Sequence, residues 1–251
     1  MKNKRPNRTR VYGIHPVEEA LNAGQDFEKV FLKNNLGGEA AKALIRQLEE
    51  RYIPVQRVPQ VKLDKLAGNP NHQGVVGLVS PIKYEPLEEL VMRAFEAGTS
   101  PLLLFPVGVT DVRNLGSLAR TAECMGVQGL LLPIKHSAQV TPEAMKSAAG
   151  ALYHLPVCRV PQPGPTIQYL QQSGIRVVAT WEAGEQQIAQ IDLAGPVCLL
   201  VGAEDVGIPQ DIRNRCDHQA HIPLLGEVNA LNVAVATGMA LYEAMRQRSR
   251  L

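Results

Sequence analysis

Polar side chains gather at three places where an apolar strand pattern gives way to a loop or a helix. The first is residues 111–120 (DVRNLGSLAR), in which Leu115 and Leu118 mark the helix face that packs on a core. Asn114 and Arg120 both fall off that face, so an amide and a guanidinium are available to a polar ligand. A helix-capping asparagine and a solvated arginine would also explain this spacing.

The second place is residues 201–209 (VGAEDVGIP), which follow a buried strand pattern. Gly202 and Gly207 permit a tight turn there. The adjacent carboxylates of Glu204 and Asp205 would repel a phosphate, and the segment matches neither the dinucleotide-binding nor the Walker glycine pattern. A cationic or neutral ligand held by backbone groups fits this turn, with an ordinary strand-to-helix turn as the alternative.

The third place is residues 222–232 (IPLLGEVNALN), where Pro223 and Gly226 interrupt a strand pattern before the final helix. Asn229 is predicted to cap that helix, which puts Asn232 one turn inside it on an otherwise apolar surface. A buried amide needs hydrogen-bond partners, so Asn232 either takes part in a site or pairs with a neighbouring loop.

Residues 101–251 must bring these places together, and their pattern predicts how. Short, fully apolar runs alternate with helical periodicity, which is typical of a parallel sheet covered on both faces. Ligands bind such sheets at the carboxyl ends of the strands, where all three places fall. Strands are predicted at 102–105, 129–132, 157–160, 177–180 and 197–201, and helices at 114–125, 141–149, 166–172 and 229–248.

The first 80 residues predict a smaller α/β unit, followed by a bridging helix. Residues 68–74 (GNPNHQG) are rich in breakers of helices and strands, which indicates an exposed loop. The final helix of the chain is apolar almost all round in its first half, so we expect it to pack against a dimer partner. The elements predicted before residue 101 are helices at 15–21, 39–50 and 86–97 and strands at 29–32, 55–58 and 75–79.

The 251 residues are 45% apolar and 20% charged, which suits one large or two smaller folded domains. The formal net charge is +2, but the first ten residues carry +5 and no acid, so the other 241 sum to −3. A basic arm on a nearly neutral body indicates a polyanionic partner, which could be RNA, DNA or a membrane surface.

Composition also excludes several classes of protein. No apolar run approaches the ~18 residues of a membrane span, and no apolar signal core follows the basic amino terminus, so we expect a cytoplasmic protein without a membrane partner. The six histidines show no HExxH spacing, so no metal is expected. The four cysteines, which are predicted to be buried free thiols, are Cys124, Cys158, Cys198 and Cys216.

Together and in this order, the three places resemble the motifs of the SpoU/TrmH family of SPOUT methyltransferases. The matching residues are Asn-Leu-Gly at 114–116 with Arg120, Gly-Ala-Glu at 202–204 with Gly207, and Ile-Pro at 222–223 with Leu-Asn-Val at 231–233. GIHPV at 13–17 and HQG at 72–74 extend the likeness over residues 11–248. SAQ at 137–139, ATG at 236–238 and RQR at 246–248 are similar to the branch that methylates a guanosine of bacterial 23S rRNA.

The resemblance implies a chain of four parts. A basic flexible arm (1–10) precedes a small ribosomal-protein-like α/β domain that binds the RNA substrate (11–81). A linker helix (82–100) leads to a parallel-sheet SPOUT domain with a carboxyl-terminal trefoil knot (101–251). A homodimer built on the final helix and the cofactor S-adenosylmethionine are also implied. The residues implied to contact the cofactor are Gly202, Ile222, Leu231, Thr180 and Leu224.

The implied reaction is methylation of a ribose 2′-hydroxyl in ribosomal RNA, with Arg120, Asn114, Glu204 and Asn232 as catalytic residues. Because arginine side chains stay protonated in proteins, Arg120 is a poor base. We expect it to grip the phosphate beside the target ribose and to lower the pKa of the hydroxyl electrostatically. Asn114 and Glu204 would orient Arg120 and the ribose, and Asn232 would hold the motif loops together.

Two departures from the family pattern leave alternatives open. Val112 stands where the family often has proline, and Ala230 stands where it commonly has a serine that assists cofactor or substrate positioning. The neighbouring Asn229 could substitute, since an amide both donates and accepts. The alternatives are the same chemistry on transfer RNA and a non-catalytic RNA-binding or ribosome-assembly protein. The 80-residue amino-terminal domain favours ribosomal RNA.

Overall fold

The computed structural model describes residues 9–68, 71–203, 206–228 and 230–249. The chain divides into two compact units, Met1–Lys83 with Val140–Pro142 and Tyr84–Gln139 with Glu143–Leu251. The division falls before the helix that the sequence suggested as a linker, which places that helix in the second unit.

The first unit contains a four-stranded sheet with helices on both faces. The strand order is β1-β4-β2-β3; β2 and β3 are parallel, and β4 is antiparallel to both of its neighbours. Alternate strand residues face opposite sides, so one face packs on α1 and α2 and the other on α3. The elements are β1 (Arg10–Tyr12), α1 (Ile14–Asn22), β2 (Phe27–Lys33), α2 (Glu39–Glu50), β3 (Val55–Val58), α3 (Gln60–Ala67) and β4 (Val75–Val79).

Two elements and one buried side chain of this unit differ from the predictions. β1 and α3 were not predicted, because β1 has three residues and α3 has a single fully buried residue, Leu63. Within the predicted exposed loop, His72 is buried. Its Nδ1 accepts the N–H of Gly74 at 3.0 Å, and its Nε2 lies 2.8 Å from Asp64 Oδ1. The loop is therefore tied to α3.

The second unit contains a seven-stranded sheet in the order β7-β6-β5-β10-β8-β11-β9. Every strand pair is parallel, which confirms the predicted parallel sheet. The elements are α4 (Leu87–Glu96), β5 (Leu102–Val107), α5 (Val112–Cys124), β6 (Gly129–Pro133), α6 (Pro142–Ser147), β7 (Val157–Val160), α7 (Pro163–Gln172), β8 (Arg176–Thr180), β9 (Gln186–Gln187), β10 (Val197–Gly202), α8 (Gln210–Arg213), β11 (His218–His221) and α9 (Val233–Arg248), with 3-10 turns at Ala151–Tyr153 and Ile188–Gln190.

The core of the second unit explains its apolar strands. Every residue of β5 and β6 is buried, as expected for strands covered on both faces. Leu90 and Val91 of α4 join the same core as Cys158 and Val160. A Cβ on Gly129 would lie 2.5 Å from Leu90 Cδ2, so the start of β6 accepts α4 at close range. The apolar stripe of α4 therefore packs against the core of this unit, and α4 is part of it.

The final helix begins later than predicted. α9 starts at Val233, and its N-cap is Asn232, whose Oδ1 accepts the backbone N–H groups of Ala234 and Val235 at 3.0 and 3.4 Å. The prediction that Asn232 is a buried amide inside the helix is wrong, because the capping side chain is exposed. The predicted cap, Asn229, lies outside the described residues.

All four cysteines are free thiols, as predicted, and the predicted burial is correct for two of them. Cys158 and Cys198 are buried, whereas Cys216 is partly buried and Cys124 is exposed. Burial raises the pKa of the Cys158 and Cys216 thiols to about 12 and also raises the pKa of Cys198, so these three stay protonated.

Within the described ranges, no helix has both the length and the apolar character that crossing a membrane requires. The same ranges hold no group of three or more histidine, cysteine, aspartate or glutamate side chains that could bind a metal ion.

Candidate active site

The carboxyl edge of the second sheet brings the three polar places together. β10 lies between β5 and β8, with Gly202 opposite Val107 and Val201 opposite Thr180. Parallel strands end at one edge, so the loops that follow β5, β10 and β8 leave from neighbouring points. This is the edge at which ligands bind in sheets of this kind.

A cleft opens at this edge. All five residues predicted to contact a cofactor, Gly202, Ile222, Leu231, Thr180 and Leu224, line it. Most of the lining is apolar, and the remaining lining residues are Trp181, Glu182, Val201, Ala203, Gly207, Ala230, Val233 and Ala236. Ile222, Leu224, Ala230 and Leu231 therefore line the same cleft as the ends of β8 and β10.

Two glycines shape this cleft. A Cβ on Gly202 would lie 2.4 Å from the carbonyl carbon of Gly207, so only glycine permits so close an approach. Gly207 has a φ of +61°, and its N–H donates to the carbonyl of Ala203 at 2.9 Å. The turn after β10 thus folds back on the strand end. Glu204 and Asp205 lie outside the described residues.

Two polar groups of the cleft have no hydrogen-bond partner among the described residues. They are the hydroxyl oxygen of Thr180 and the indole Nε1 of Trp181, and both atoms are buried. A buried polar group without a partner costs about 1–3 kcal/mol, so their presence in the lining points to a polar ligand. Trp181 was not predicted as a site residue; its one signal was its position directly after Thr180.

Two helix starts meet beside the cleft. The N-cap of α5 is Asp111, whose Oδ1 accepts the N–H groups of Asn114 and Arg113 at 3.1 and 2.7 Å. These two bonds hold the pKa of Asp111 below its usual value. Asn232, the cap of α9, donates from Nδ2 to Asn114 Oδ1 at 3.2 Å. The two predicted asparagines thus join the beginnings of α5 and α9, next to Leu231 in the cleft wall.

Close packing fixes the direction of α5. A Cβ on Gly116 would lie 2.5 Å from the carbonyl oxygen of Ala144 in α6, which explains the glycine that follows Asn-Leu. A Cβ on Gly238 of α9 would make a 3.4 Å contact with Thr121 Cγ2. α5 is therefore packed against both α6 and α9, and its exposed side chains keep a defined direction.

Arg120 lies on the exposed side of α5, about 9 Å along the helix from Asn114. The structure gives it no hydrogen bond or ion pair with any residue of the described ranges. A guanidinium that no described residue pairs with is available to an external anion, and its planar fork matches a phosphate. Glu204, predicted to orient it, lies outside the described residues, so the structure does not place the two together.

Two family models match this chain. The model of the SpoU rRNA Methylase family matches residues 101–242. A second model, described as RNA 2′-O ribose methyltransferase substrate binding, matches residues 10–85.

Curated relatives match nearly the whole chain. An uncharacterized tRNA/rRNA methyltransferase of Synechocystis is 34% identical over 95% of this chain, which spans 62% of the length of that relative. A protein of Staphylococcus aureus, assigned by name to the TrmH family of tRNA/rRNA methyltransferases, is 31% identical over 96% of each chain.

Solved structures give the same picture. The SpoU methyltransferase AviRb of Streptomyces viridochromogenes, in complex with the cofactor AdoMet, is 28% identical over 100% of this chain and 95% of its own, with a TM-score of 0.62. An AdoMet-bound rRNA methyltransferase of Sinorhizobium meliloti is 26% identical over 94% and 86%, with a TM-score of 0.59. A structure described by 2-OH methylation of C/U34 on tRNA is 28% identical over 61% and 99%, with a TM-score of 0.56.

Proposed function

The chain belongs to the SpoU rRNA methylase family, and on that premise we propose that it transfers a methyl group from S-adenosylmethionine to a ribose 2′-hydroxyl of ribosomal RNA. The observation that carries this proposal is one sheet edge, where a cleft with two unpaired buried polar groups lies beside the start of α5, the helix that carries Arg120. The proposed target is a guanosine of 23S rRNA, on the sequence likeness alone.

The cleft fits the cofactor in its chemistry. Ile222, Leu224 and Leu231 form an apolar wall that suits an adenine ring, and the Thr180 hydroxyl and Trp181 N–H offer hydrogen bonds that the protein leaves unused. The close approach at Gly202 keeps side chains out of one wall. When bound, S-adenosylmethionine supplies a methyl group on a positively charged sulfur, whose loss of charge drives the displacement.

Arg120 provides the means to bind RNA and to activate the hydroxyl. Two parallel N–H donors of a guanidinium can hold a phosphate beside the target ribose. The positive charge then favours the ionised form of the 2′-oxygen, which must attack the methyl carbon in line with the sulfur. We assign the released proton to water, because Arg120 is exposed to solvent. The Asn114–Asn232 pair holds this helix start in register with the cleft.

The first unit supplies cationic side chains that suit RNA. The register of β1, β4 and β2 puts Arg10 and Lys29 in one row of a sheet face and Tyr12 and Phe31 in the next. The ammonium groups of Lys29 and Lys62 lie 6.0 and 5.7 Å from the centre of the Phe31 ring. Phe31 itself is buried against α3, so Tyr12 is the exposed ring of this group and the cations around it supply the charge that attracts a nucleic-acid backbone.

Coverage favours ribosomal RNA over transfer RNA. The neighbour described by tRNA methylation matches 61% of this chain, whereas the rRNA methyltransferase matches 94%. The difference corresponds to a whole unit, and the substrate-binding model lies on residues 10–85. Transfer RNA is the second candidate, since the curated relatives carry both substrates in their names.

Transfer of tritium from labelled cofactor to purified 23S rRNA and to total tRNA tests the proposal. We expect label in 23S rRNA, at a position where the ribose resists alkaline cleavage. Label in tRNA alone would favour the second candidate. Tight cofactor binding without transfer to any RNA would favour the non-catalytic alternative.

We also propose that α9 forms a homodimer interface. We propose further that the segment after β10 threads a trefoil knot, and that the protein works in the cytoplasm. Val235, Met239 and Tyr242 of α9 are 52, 46 and 54% exposed, an apolar patch of the kind that marks subunit contacts. The strand order supports the knot. After β8 the chain forms β10, which lies between β5 and β8, and then β11, which lies on the other side of β8. Sedimentation of the wild type and of Met239→Glu tests the dimer: dimer and monomer, respectively, are expected.

A further inference from the structure

We propose that Trp181, the single tryptophan of the chain, recognises the nucleoside part of the cofactor through its indole N–H, and that Arg213 positions the ring. This inference rests on the proposed function, because it takes the cleft as the cofactor site. It assigns a role to a residue that lies outside every motif of the sequence analysis.

The indole N–H is a buried donor that no described residue satisfies. Trp181 lines the cleft, and its Nε1 has no hydrogen-bond partner among the described residues. Tryptophan usually finds a partner for this group when it is buried. Leucine or phenylalanine would fill the same space without that cost, so the N–H indicates an acceptor on the ligand.

The ring that carries this donor is held by a backbone hydrogen bond and by a stacked side chain. The Trp181 backbone N–H donates to the carbonyl of Ala220 in β11 at 2.9 Å, which holds the main chain. The ring packs against the core of the second unit, and the guanidinium carbon of Arg213 in α8 lies 3.7 Å from the ring centre. A stacked guanidinium of this kind stabilises one orientation of an aromatic ring. Arg213 is thus a positioning residue.

The position of Trp181 in the sheet indicates which part of the ligand it meets. Asn114 and Arg120 follow β5, whereas Trp181 follows β8, and β10 lies between the two strands. Two strand spacings are about 10 Å, so Trp181 lies on the side of the cleft away from Asn114. Either the nucleoside or the amino-acid part of the cofactor could reach that far.

Charge and polarity choose between the two parts. Glu182 lines the cleft next to Trp181, and its carboxylate would repel the carboxylate of the amino-acid part. A carboxylate accepts hydrogen bonds from ribose hydroxyls, and an indole N–H donates to them or to a ring nitrogen. Leu224, in the same cleft, offers an apolar surface to the base. The nucleoside part fits all three residues.

Calorimetric titration with two ligands tests the assignment. S-adenosylhomocysteine has both parts, and 5′-methylthioadenosine lacks the amino-acid part. Trp181→Phe keeps an aromatic ring and removes the N–H, so we expect both ligands to bind about three- to tenfold more weakly, the effect of one hydrogen bond. Tyr153→Phe, at a ring that is 69% exposed outside the cleft, removes a polar atom as the matched control and should change neither affinity.

Each other outcome contradicts the proposal in a different way. Unchanged affinity for both ligands would show that the N–H is not used. Weakening confined to S-adenosylhomocysteine would move the contact to the amino-acid part. If the wild type bound neither ligand, the proposed function itself would fail. The titration of the wild type alone tests this, so the two failures can be told apart.

The role of Arg213 is tested through the fluorescence of Trp181 and a double-mutant cycle. Both ligands should change the emission of the wild type, with the dissociation constants that calorimetry gives; unchanged emission would overturn the contact. Arg213→Gln should weaken binding in the wild type and have no further effect in the Trp181→Phe background, because the N–H that it positions is gone. Equal weakening in both backgrounds would show that Arg213 acts through a contact of its own.

Discussion

The two sides of the candidate active site are built differently. The proposed cofactor side consists of buried strand ends and apolar walls, and the close contact of Gly202 with Gly207 leaves it little freedom. The proposed substrate side consists of the partly buried Asn114, the exposed Asn232 and the exposed Arg120, and Arg120 has no partner among the described residues. On the proposed function, the cofactor site is therefore preformed, whereas the substrate site becomes complete only when RNA supplies the anion.

Removal of the guanidinium should separate the two sides most clearly. We expect Arg120→Ala to lower methyl transfer at least 100-fold, because a preorganised charge beside the reacting oxygen is lost. Cofactor affinity should stay within threefold, since Arg120 is not part of the cleft lining. Single-turnover tritium transfer and calorimetry measure the two effects.

Arg113→Ala is the matched control for this prediction. Arg113 is a second exposed arginine of α5, and its partner is Asp111 at 3.5 Å. Its loss should change transfer less than fivefold. A collapse of cofactor affinity in Arg120→Ala would mean that the two sides are not separate.

A methyl group at Gly202 should damage the cofactor side. The new Cβ would lie 2.4 Å from the carbonyl carbon of Gly207, so the turn must move away from the end of β10. We expect Gly202→Ala to weaken S-adenosylhomocysteine binding at least tenfold, by calorimetry. Gly37→Ala, where a Cβ meets nothing within 4 Å, is the control and should bind as the wild type does. Tight binding by Gly202→Ala would show that this side is not rigid.

The Asn114–Asn232 pair should affect transfer without affecting stability. Asn232→Ser keeps a good helix cap but is too short to reach Asn114 Oδ1, now 3.2 Å from Nδ2. We expect about tenfold slower transfer with the free energy of unfolding within about 0.5 kcal/mol of the wild type. Asn232→Ala removes cap and pair together and should lose about 1 kcal/mol as well. Unchanged transfer in Asn232→Ser would make the pair purely structural.

The same contrast explains what the sequence could predict. Fully apolar runs such as 102–107 can be buried only in a parallel sheet with both faces covered, so the second sheet was predictable. Because the proposed cofactor side is built on the ends of these strands, its position was predictable too. β11 was missed because its four residues, His218–His221, include three polar side chains and no strand pattern. The local sequence pattern therefore predicts those elements of the fold that are completely buried.

Features that depend on contacts between distant residues could not be predicted. Asn229 and Asn232 are equally good caps in sequence, and the bond of Asn232 to Asn114, 118 residues away, belongs only to the folded state. The unsatisfied Trp181 N–H is likewise a property of packing, since nothing local distinguishes it from a satisfied indole. The resemblance to a family supplied the motif residues, but Trp181 lies outside those motifs.

The smallest expected effect concerns the cap of α5 on the substrate side. Backbone hydrogen bonds from Asn114 and Arg113 hold the pKa of Asp111 below its unfolded value near 3.8. A lowered carboxylate pKa stabilises the fold above that unfolded value, and the stabilisation is lost as the pH falls through the folded pKa. Asp111→Asn keeps the capping oxygen but does not ionise there.

The difference in unfolding free energy between wild type and Asp111→Asn should therefore shrink from pH 6 to pH 3. We expect it to stay well under about 1 kcal/mol, because the Asp111 side chain is 45% exposed and screened by water. Urea unfolding at several pH values measures it. A difference in unfolding free energy that stays constant over this range would show that the cap acts by geometry alone. The charge of Asp111 would then matter as little on the substrate side as charge does in the apolar walls of the cofactor cleft.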